Sequence, residues 1–273
     1  MERELPVINI EGTDFIVDVS KLELREMADP TNIIAFENMR DVGDGYTFDY
    51  SLKNKNLPSM FDLEYITVKI SEFVALDPQG MAARYNYAPE EVKGKSDFEL
   101  MVDQKTFDLR VNKGILPTVD IAGHTFYVDI RMDMLRPKDD FLSKGIVLSN
   151  IENYYDEDKR TYTIPYNPNT HEFQEPDYQN IKELPKDLMA VRFPSERLLD
   201  RIGWNRQHGF ELTQGLAKHG LKLKFRAKPI PWKKTFLPDL IESNLKTEKN
   251  HQKANEKQLL AQSDKSKPKG RKM

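Results

Sequence analysis

The chain has 273 residues, 38% of them apolar and 31% charged, with a net charge of -3 and no cysteine. That length suits one large domain or two ordinary ones with a real core, and the absence of cysteine excludes disulfides, thiolate metal sites and thiol nucleophiles. No apolar run approaches the roughly 20 residues of a membrane span, and the opening "MERELPVINIEG" lacks the pattern of a secretory signal, so neither export nor a membrane partner is expected.

The chain begins with "LPVINIEGTDFIVDV", Leu5 to Val19, where Ile8, Ile10, Phe15, Val17 and Val19 fall on one face of a half-buried hairpin turning at Gly12. A second hairpin follows, "IIAFENM" and "GYTFDYSL" around "RDVGDG", then a short strand, Tyr65 to Ile70. A short helix comes next, with Pro78 in its first turn and Asp77 placed to cap it.

At Leu116 the pattern starts again. "LPTVDIAGHTFYVDI" matches the opening stretch at seven of fifteen positions, including Gly12/Gly123 and Phe15/Phe126. "GYTFDY" is followed in the same order by its counterpart "TYTIPY", and "VKISEFVALDPQGM" by "VRFPSERLLDRIGW". The offset grows from 111 to 116 to 123, as small loop insertions would make it. The second half accordingly predicts a hairpin turning at Gly123 and another, "GIVLSNIENYY" and "RTYTIPY" around "DEDK". A strand Leu188 to Phe193 and a helix starting at Pro194-Ser195-Glu196 complete it. The expected fold class is α+β: two tandem related units, each an antiparallel β-meander with one or two short helices, followed by a helical and disordered basic tail. The expected boundaries are 1–114, 115–238 and 239–273.

The small net charge conceals an asymmetry. Up to Leu212 there are 25 basic and 39 acidic residues, whereas Thr213 to Thr235 holds seven basic residues and no acid. In "HGLKLKFRAKPIPWKK", Leu221, Leu223, Phe225 and Ala227 alternate with Lys222, Lys224, Arg226 and Lys228, which reads as one strand with one apolar and one cationic face. Its cations would stand about 7 Å apart, close to the phosphate spacing of a nucleic-acid strand. Trp232, beside Lys233 and Lys234, could stack on a base. The same pattern suits an edge strand that lysine guards against pairing with another molecule. The corresponding stretch of the first half, "SDFELMVDQ" at Ser96 to Gln104, is acidic. After Phe236 a short apolar stripe (Leu237, Leu240, Ile241, Leu245) predicts a helix, and the ending "KSKPKGRK" is polar and basic.

Other constellations carry less. Asp18 and Asp129 are expected to point outward from the ends of their hairpins, either as a carboxylate pair with catalytic or metal-binding potential or, more simply, as turn caps. Tyr154, Tyr155, Tyr162 and Tyr166 could line an aromatic strip, with cross-strand pairing as the plainer reading. Five histidines lack metal-ligand spacing, and no nucleophile elbow, phosphate loop or dinucleotide fingerprint is present, so neither a metal nor a cofactor is expected and no catalytic residue is assigned.

Together, "LPVINIEGTDFIVDV", "LPTVDIAGHTFYVDI", "LDRIGWNRQHGF" and "KSKPKGRKM" resemble an uncharacterised family carried on conjugative and other mobile elements of Bacteroides-like bacteria. The resemblance covers most of the chain and brings no assigned activity. It implies a bacterial, cytoplasmic protein in a DNA-transfer or element-maintenance setting. The resulting expectation is a non-enzymatic binding protein that contacts DNA, RNA or a nucleoprotein complex through Lys222, Lys224, Arg226, Lys228, Trp232, Lys233, Lys234 and the tail. The alternative is a protein-protein adaptor with an acidic surface, and a carboxylate-dependent hydrolase comes third.

Overall fold

A computed structural model describes residues 3–265, with side chains up to 253. The basic ending, apart from the backbone of its first residues, therefore lies outside the described residues. The fold is mixed α+β with antiparallel sheets. Two compact units emerge: one of Met1–Pro117, Asp129–Met132 and Glu196–Lys224, the other of Thr118–Val128, Asp133–Ser195 and Phe225–Met273.

In the first unit, β1 (Val7–Ile10), β2 (Thr13–Asp18), β3 (Glu23–Glu26) and β4 (Ile33–Ala35) form a meander in sequence order. Alternation drives it: Phe15, Val17 and Leu24 are fully buried while Asp14 is exposed. The β1–β2 turn has two residues, since Ile10 pairs with Thr13, and both Glu11 (φ 49°) and Gly12 (φ 81°) are left-handed, as a turn matching the strand twist demands. A three-stranded sheet follows, made of β5 (Arg40–Asp41), β6 (Tyr46–Tyr50) and β7 (Ile66–Ile70). The strand expected over "IIAFENM" is therefore broken. Where the chain leaves one sheet for the other, a 3-10 turn at Phe36–Asn38 drives Phe36 into the core.

Helices α1 (Phe73–Leu76) and α2 (Pro78–Tyr85) come next, with Pro78 opening α2. Asp77 caps α2 by accepting from Gly80 N at 2.9 Å, and Arg3 grips the same carboxylate with Nη1 and Nη2 at 2.5 and 2.6 Å. "SDFELMVDQ" is helical rather than extended, spanning α3 (Asp97–Met101) and the start of α4 (Gln104–Val111). Its reason is local: Ser96 Oγ accepts from Glu99 N, and Glu99 Oε2 accepts from Ser96 N at 2.8 Å, a reciprocal cap that overrides any strand register. Asp97, fully buried, accepts from Tyr46 Oη, Phe73 N and Val74 N, tying the second sheet, α1 and α3 together.

In the second unit, β8 (Thr118–Ile121), β9 (His124–Asp129), β10 (Met134–Pro137) and β11 (Ile146–Val147) form the next meander. Its first turn repeats the geometry seen before, with Ile121 pairing with His124 and Ala122 and Gly123 at φ 54° and 92°. The long strand expected from Gly145 is broken like its counterpart, here by a 3-10 turn at Ser149–Tyr154 that buries Ile151. Then come β12 (Tyr155–Asp156), β13 (Thr161–Asn167), β14 (Glu172–Phe173) and β15 (Met189–Pro194), with β13 central.

The chain then returns to the first unit with α5 (Glu196–Leu199), α6 (Arg201–Gln207) and α7 (Leu216–His219). Ile202 and Leu216 pack with Val102 in a small apolar cluster. Asp200 caps α6 through Gly203 N at 3.0 Å. Two last strands, β16 (Lys224–Arg226) and β17 (Lys228–Ile230), precede α8 (Leu237–Lys265).

Candidate functional site

The basic stretch shows the predicted alternation in its side chains. Lys222, Lys224, Arg226 and Lys228 are exposed, while Leu221, Leu223 and Phe225 are half-buried and Ala227 is buried. It is not one strand, however. β16 extends the sheet beside β8, whereas β17 pairs with β15 in another sheet, and the chain changes sheets at Ala227, whose N donates to Asp120 O at 2.7 Å. Lys222 precedes β16. Both strands end their hydrogen-bonded order, so the lysines lie on sheet edges, where guarding against further pairing also accounts for them. Arg226 is 83% exposed on its side chain and stands 3.8 Å from Asp120, a pair that water screens and that leaves the cation available.

Trp232 opens a 3-10 turn, Trp232–Lys234, closed by Thr235 Oγ1 donating to Trp232 O at 2.7 Å. Its half-buried ring lines a cavity of about 230 Å³ together with Tyr154, Tyr155, Tyr178, Phe236 and the cations Arg192 and Lys234; Lys233 points to solvent. The walls are tied in place. Tyr154 Oη is 2.6 Å from both Glu175 Oε1 and Tyr178 Oη, and Arg192 Nε donates to Thr163 Oγ1 at 2.8 Å. Burial, then the bonds to Glu175 and Tyr178, raise the Tyr154 phenol far above its ordinary range, so it stays protonated. An aromatic-walled hollow with cations at its edge can take a flat ring and an adjoining anion.

Sequence reasoning found Trp232, Lys234, Tyr154 and Tyr155. It missed Arg192, Tyr178 and Phe236, which come from three separate stretches and carry no shared local signal. Of the tyrosines read either as a strip or as cross-strand partners, Tyr155 and Tyr162 do pair across β12 and β13 with ring centroids 5.4 Å apart, while Tyr162 and Tyr166 are buried in the core, because alternate residues of β13 face inward. Asp18 and Asp129 are likewise buried, not outward, at 5% and 8% exposure. Each turns back onto its own loop, Asp18 accepting from Ser20 Oγ and Lys21 N, Asp129 from Met132 N.

Among the described residues no group of three or more His, Asp or Glu side chains is placed to hold a metal ion, and no helix is long and apolar enough to cross a membrane. Comparison with protein families, curated proteins and solved structures finds no match.

Proposed function

We propose that the protein binds nucleic acid, or a nucleoprotein complex, through the basic stretch Lys222 to Lys234, as a non-enzymatic component of a bacterial mobile element. The observation that carries this reading is the exposure of Lys222, Lys224, Arg226 and Lys228 at alternate positions, just ahead of a Trp232-lined aromatic hollow. Phosphates would meet the cations and an unstacked base would enter the hollow, which favours single strands.

The two halves of the chain are read as copies of one ancestral unit. The order meander, 3-10 turn, antiparallel sheet and two short helices recurs, and so do the left-handed turn pairs Glu11-Gly12 and Ala122-Gly123. Asp77 and Asp200, both N-caps, have nearly the same backbone angles (φ -144°, ψ 74° and φ -141°, ψ 77°), and each is gripped by an arginine from upstream. What differs after the helix pair is the continuation, the acidic helix α3 and then α4 in one case, the short α7 and then basic strands in the other. A function acquired after duplication belongs where the copies part.

The test is fluorescence anisotropy with single- and double-stranded DNA and RNA over a range of salt. Replacing Lys222, Lys224, Arg226 and Lys228 by Gln should weaken all sequences alike and flatten the salt dependence. Trp232→Ala should weaken single strands selectively, by about 1 to 3 kcal/mol. No binding by the intact protein even at low salt overturns the reading. The lysines are then edge guards, and the adaptor reading takes its place.

A further inference from the structure

A second cavity, also of about 230 Å³, lies wholly within the first unit and takes no part in the proposed interface. Its lining includes four permanent cations, Arg40, Arg197, Arg201 and Lys218, and one carboxylate, Asp41; Arg40 is also paired, at 3.0 Å, with Asp49 outside the lining, which leaves the cavity with an excess of positive charge. Such a concentration of positive charge is unexpected in a unit whose residues overall carry an excess of acids. Beside the cations is a flat apolar surface. Arg197 Cζ stands 4.4 Å from the centre of the Trp204 ring, and the Trp204 and Phe210 rings lie nearly parallel, 8° apart with centroids at 5.5 Å. Phe210 is 45% exposed although it lines the cavity.

The walls are fixed before any ligand arrives. Asp41 Oδ2 accepts from Gly215 N at 2.9 Å, Lys218 Nζ donates to Met39 O at 3.0 Å, and Asn205 Nδ2 donates to Glu211 O and Gln214 O, both at 3.0 Å. Gly215, at φ 76°, lets the buried Arg201 guanidinium pack close, since a Cβ there would stand 3.3 Å from Arg201 Cζ. A pre-tied pocket loses little freedom on binding.

We propose that this cavity binds a phosphate monoester joined to a flat ring, the chemistry of a nucleoside monophosphate. Several arginines suit a dianion, whose oxygens match the guanidinium fork, better than a single carboxylate. The volume is about eight times the roughly 30 Å³ share of one water, more than a bare phosphate fills. The exposed Phe210 face receives the remainder. The phosphate could come from a free nucleotide or from the 5′ end of a strand.

The experiment follows Trp204 fluorescence in full-length protein carrying Trp232→Phe, titrated with adenosine monophosphate, uridine monophosphate, adenosine and inorganic phosphate. Saturable quenching by the monophosphates is expected, with adenosine and inorganic phosphate each at least about tenfold weaker. Arg197→Gln, an exposed position, should raise the Kd for the monophosphates about tenfold, or 1.4 kcal/mol. Phe210→Ala should weaken monophosphates but not inorganic phosphate. Displacement by a 5′-phosphorylated oligonucleotide, but not by its unphosphorylated twin, identifies a strand end as the source; displacement by neither identifies the free nucleotide. The proposal is overturned by absence of saturable quenching, by inorganic phosphate binding as tightly as the nucleotides, or by indifference to Arg197→Gln. Because the basic-stretch reading is tested by unphosphorylated strands and by the lysine variants, either can fail alone.

Discussion

Arg110 and Asp200, ninety positions apart in the chain, form a buried two-pronged ion pair, Nε to Oδ1 at 3.0 Å and Nη2 to Oδ2 at 2.6 Å. Their side chains are 6% and 0% exposed. The related pair Arg3–Asp77 has an arginine 38% exposed. Removing one partner of a buried pair strands the other charge, so Arg110→Ala should cost about 3 to 5 kcal/mol. Arg3→Ala should cost less, about 1 to 2 kcal/mol, because water can reach the carboxylate from the exposed side that the guanidinium vacates, although Asp77 itself is only 2% exposed. Urea unfolding of both variants checks this; equal losses would contradict it.

The turn at Ala122-Gly123 places an alanine at φ 54°, a conformation costing an L residue roughly 1 to 2 kcal/mol. Asparagine tolerates it better and is favoured before glycine in such turns. Ala122→Asn should therefore raise the thermal midpoint. Gly123→Val should lower it through backbone strain alone, since a Cβ at Gly123 meets nothing within 4 Å.

Phe15 and Tyr50 meet edge to face with centroids 6.3 Å apart at 76°, and Phe126 and Tyr166 do the same at 6.4 Å and 78°. Both tyrosine hydroxyls are buried with no hydrogen-bond partner among the described residues. A buried hydroxyl without a partner costs about 1 to 3 kcal/mol. Tyr50→Phe and Tyr166→Phe should each be neutral or stabilising in chemical unfolding. A clear loss of stability would show that the hydroxyls are bonded in solution.

Burial raises the Glu72 carboxyl above its ordinary range, and nearby Asp97 adds to the effect despite the bond from Asp97 N. A carboxyl whose pKa rises on folding takes up its proton at higher pH in the folded chain than in the unfolded one. Its contribution to stability therefore falls as pH climbs from the ordinary carboxylate value through the raised one. Glu72→Gln keeps an acceptor for Asp97 N and removes the charge. It should stabilise at pH 7 by less than about 1 kcal/mol, solvent screening taking most of the effect, and by nothing near pH 4. Unfolding curves at the two pH values give the comparison; a gain larger at pH 4 has the wrong sign.

Features set by near neighbours were legible in the sequence. The alternation of Phe15 and Val17, the left-handed turns at Gly12 and Gly123, and the Asp77 cap on Pro78 each follow from residues within a few positions. The 3-10 turns at Phe36 and Ile151 were not, because an apolar β-like run looks the same whether the chain stays in its sheet or leaves it. The change of sheet at Ala227 was hidden for the same reason, since the side chains alternate straight through it. In the Trp232 hollow only Trp232, Lys234 and the Tyr154-Tyr155 pair were visible. The remaining walls come from Arg192, Tyr178 and Phe236, which only the fold brings together.

The return of residues Glu196–Lys224 to the first unit bears on how the chain is made. On the ribosome, Met1–Pro117 emerges with Val102, Phe98 and Phe107 still lacking Ile202, Leu216 and Leu221. Their cover arrives roughly a hundred residues later, about 5 to 20 seconds at ordinary synthesis rates. During that interval the nascent first unit carries a greasy flank and an Arg110 without Asp200. A gene fragment stopped at Pro117 would leave that flank bare permanently. Such a fragment should aggregate or be degraded, whereas the full chain, which supplies both Glu196–Lys224 and the strands that complete the second unit, should not.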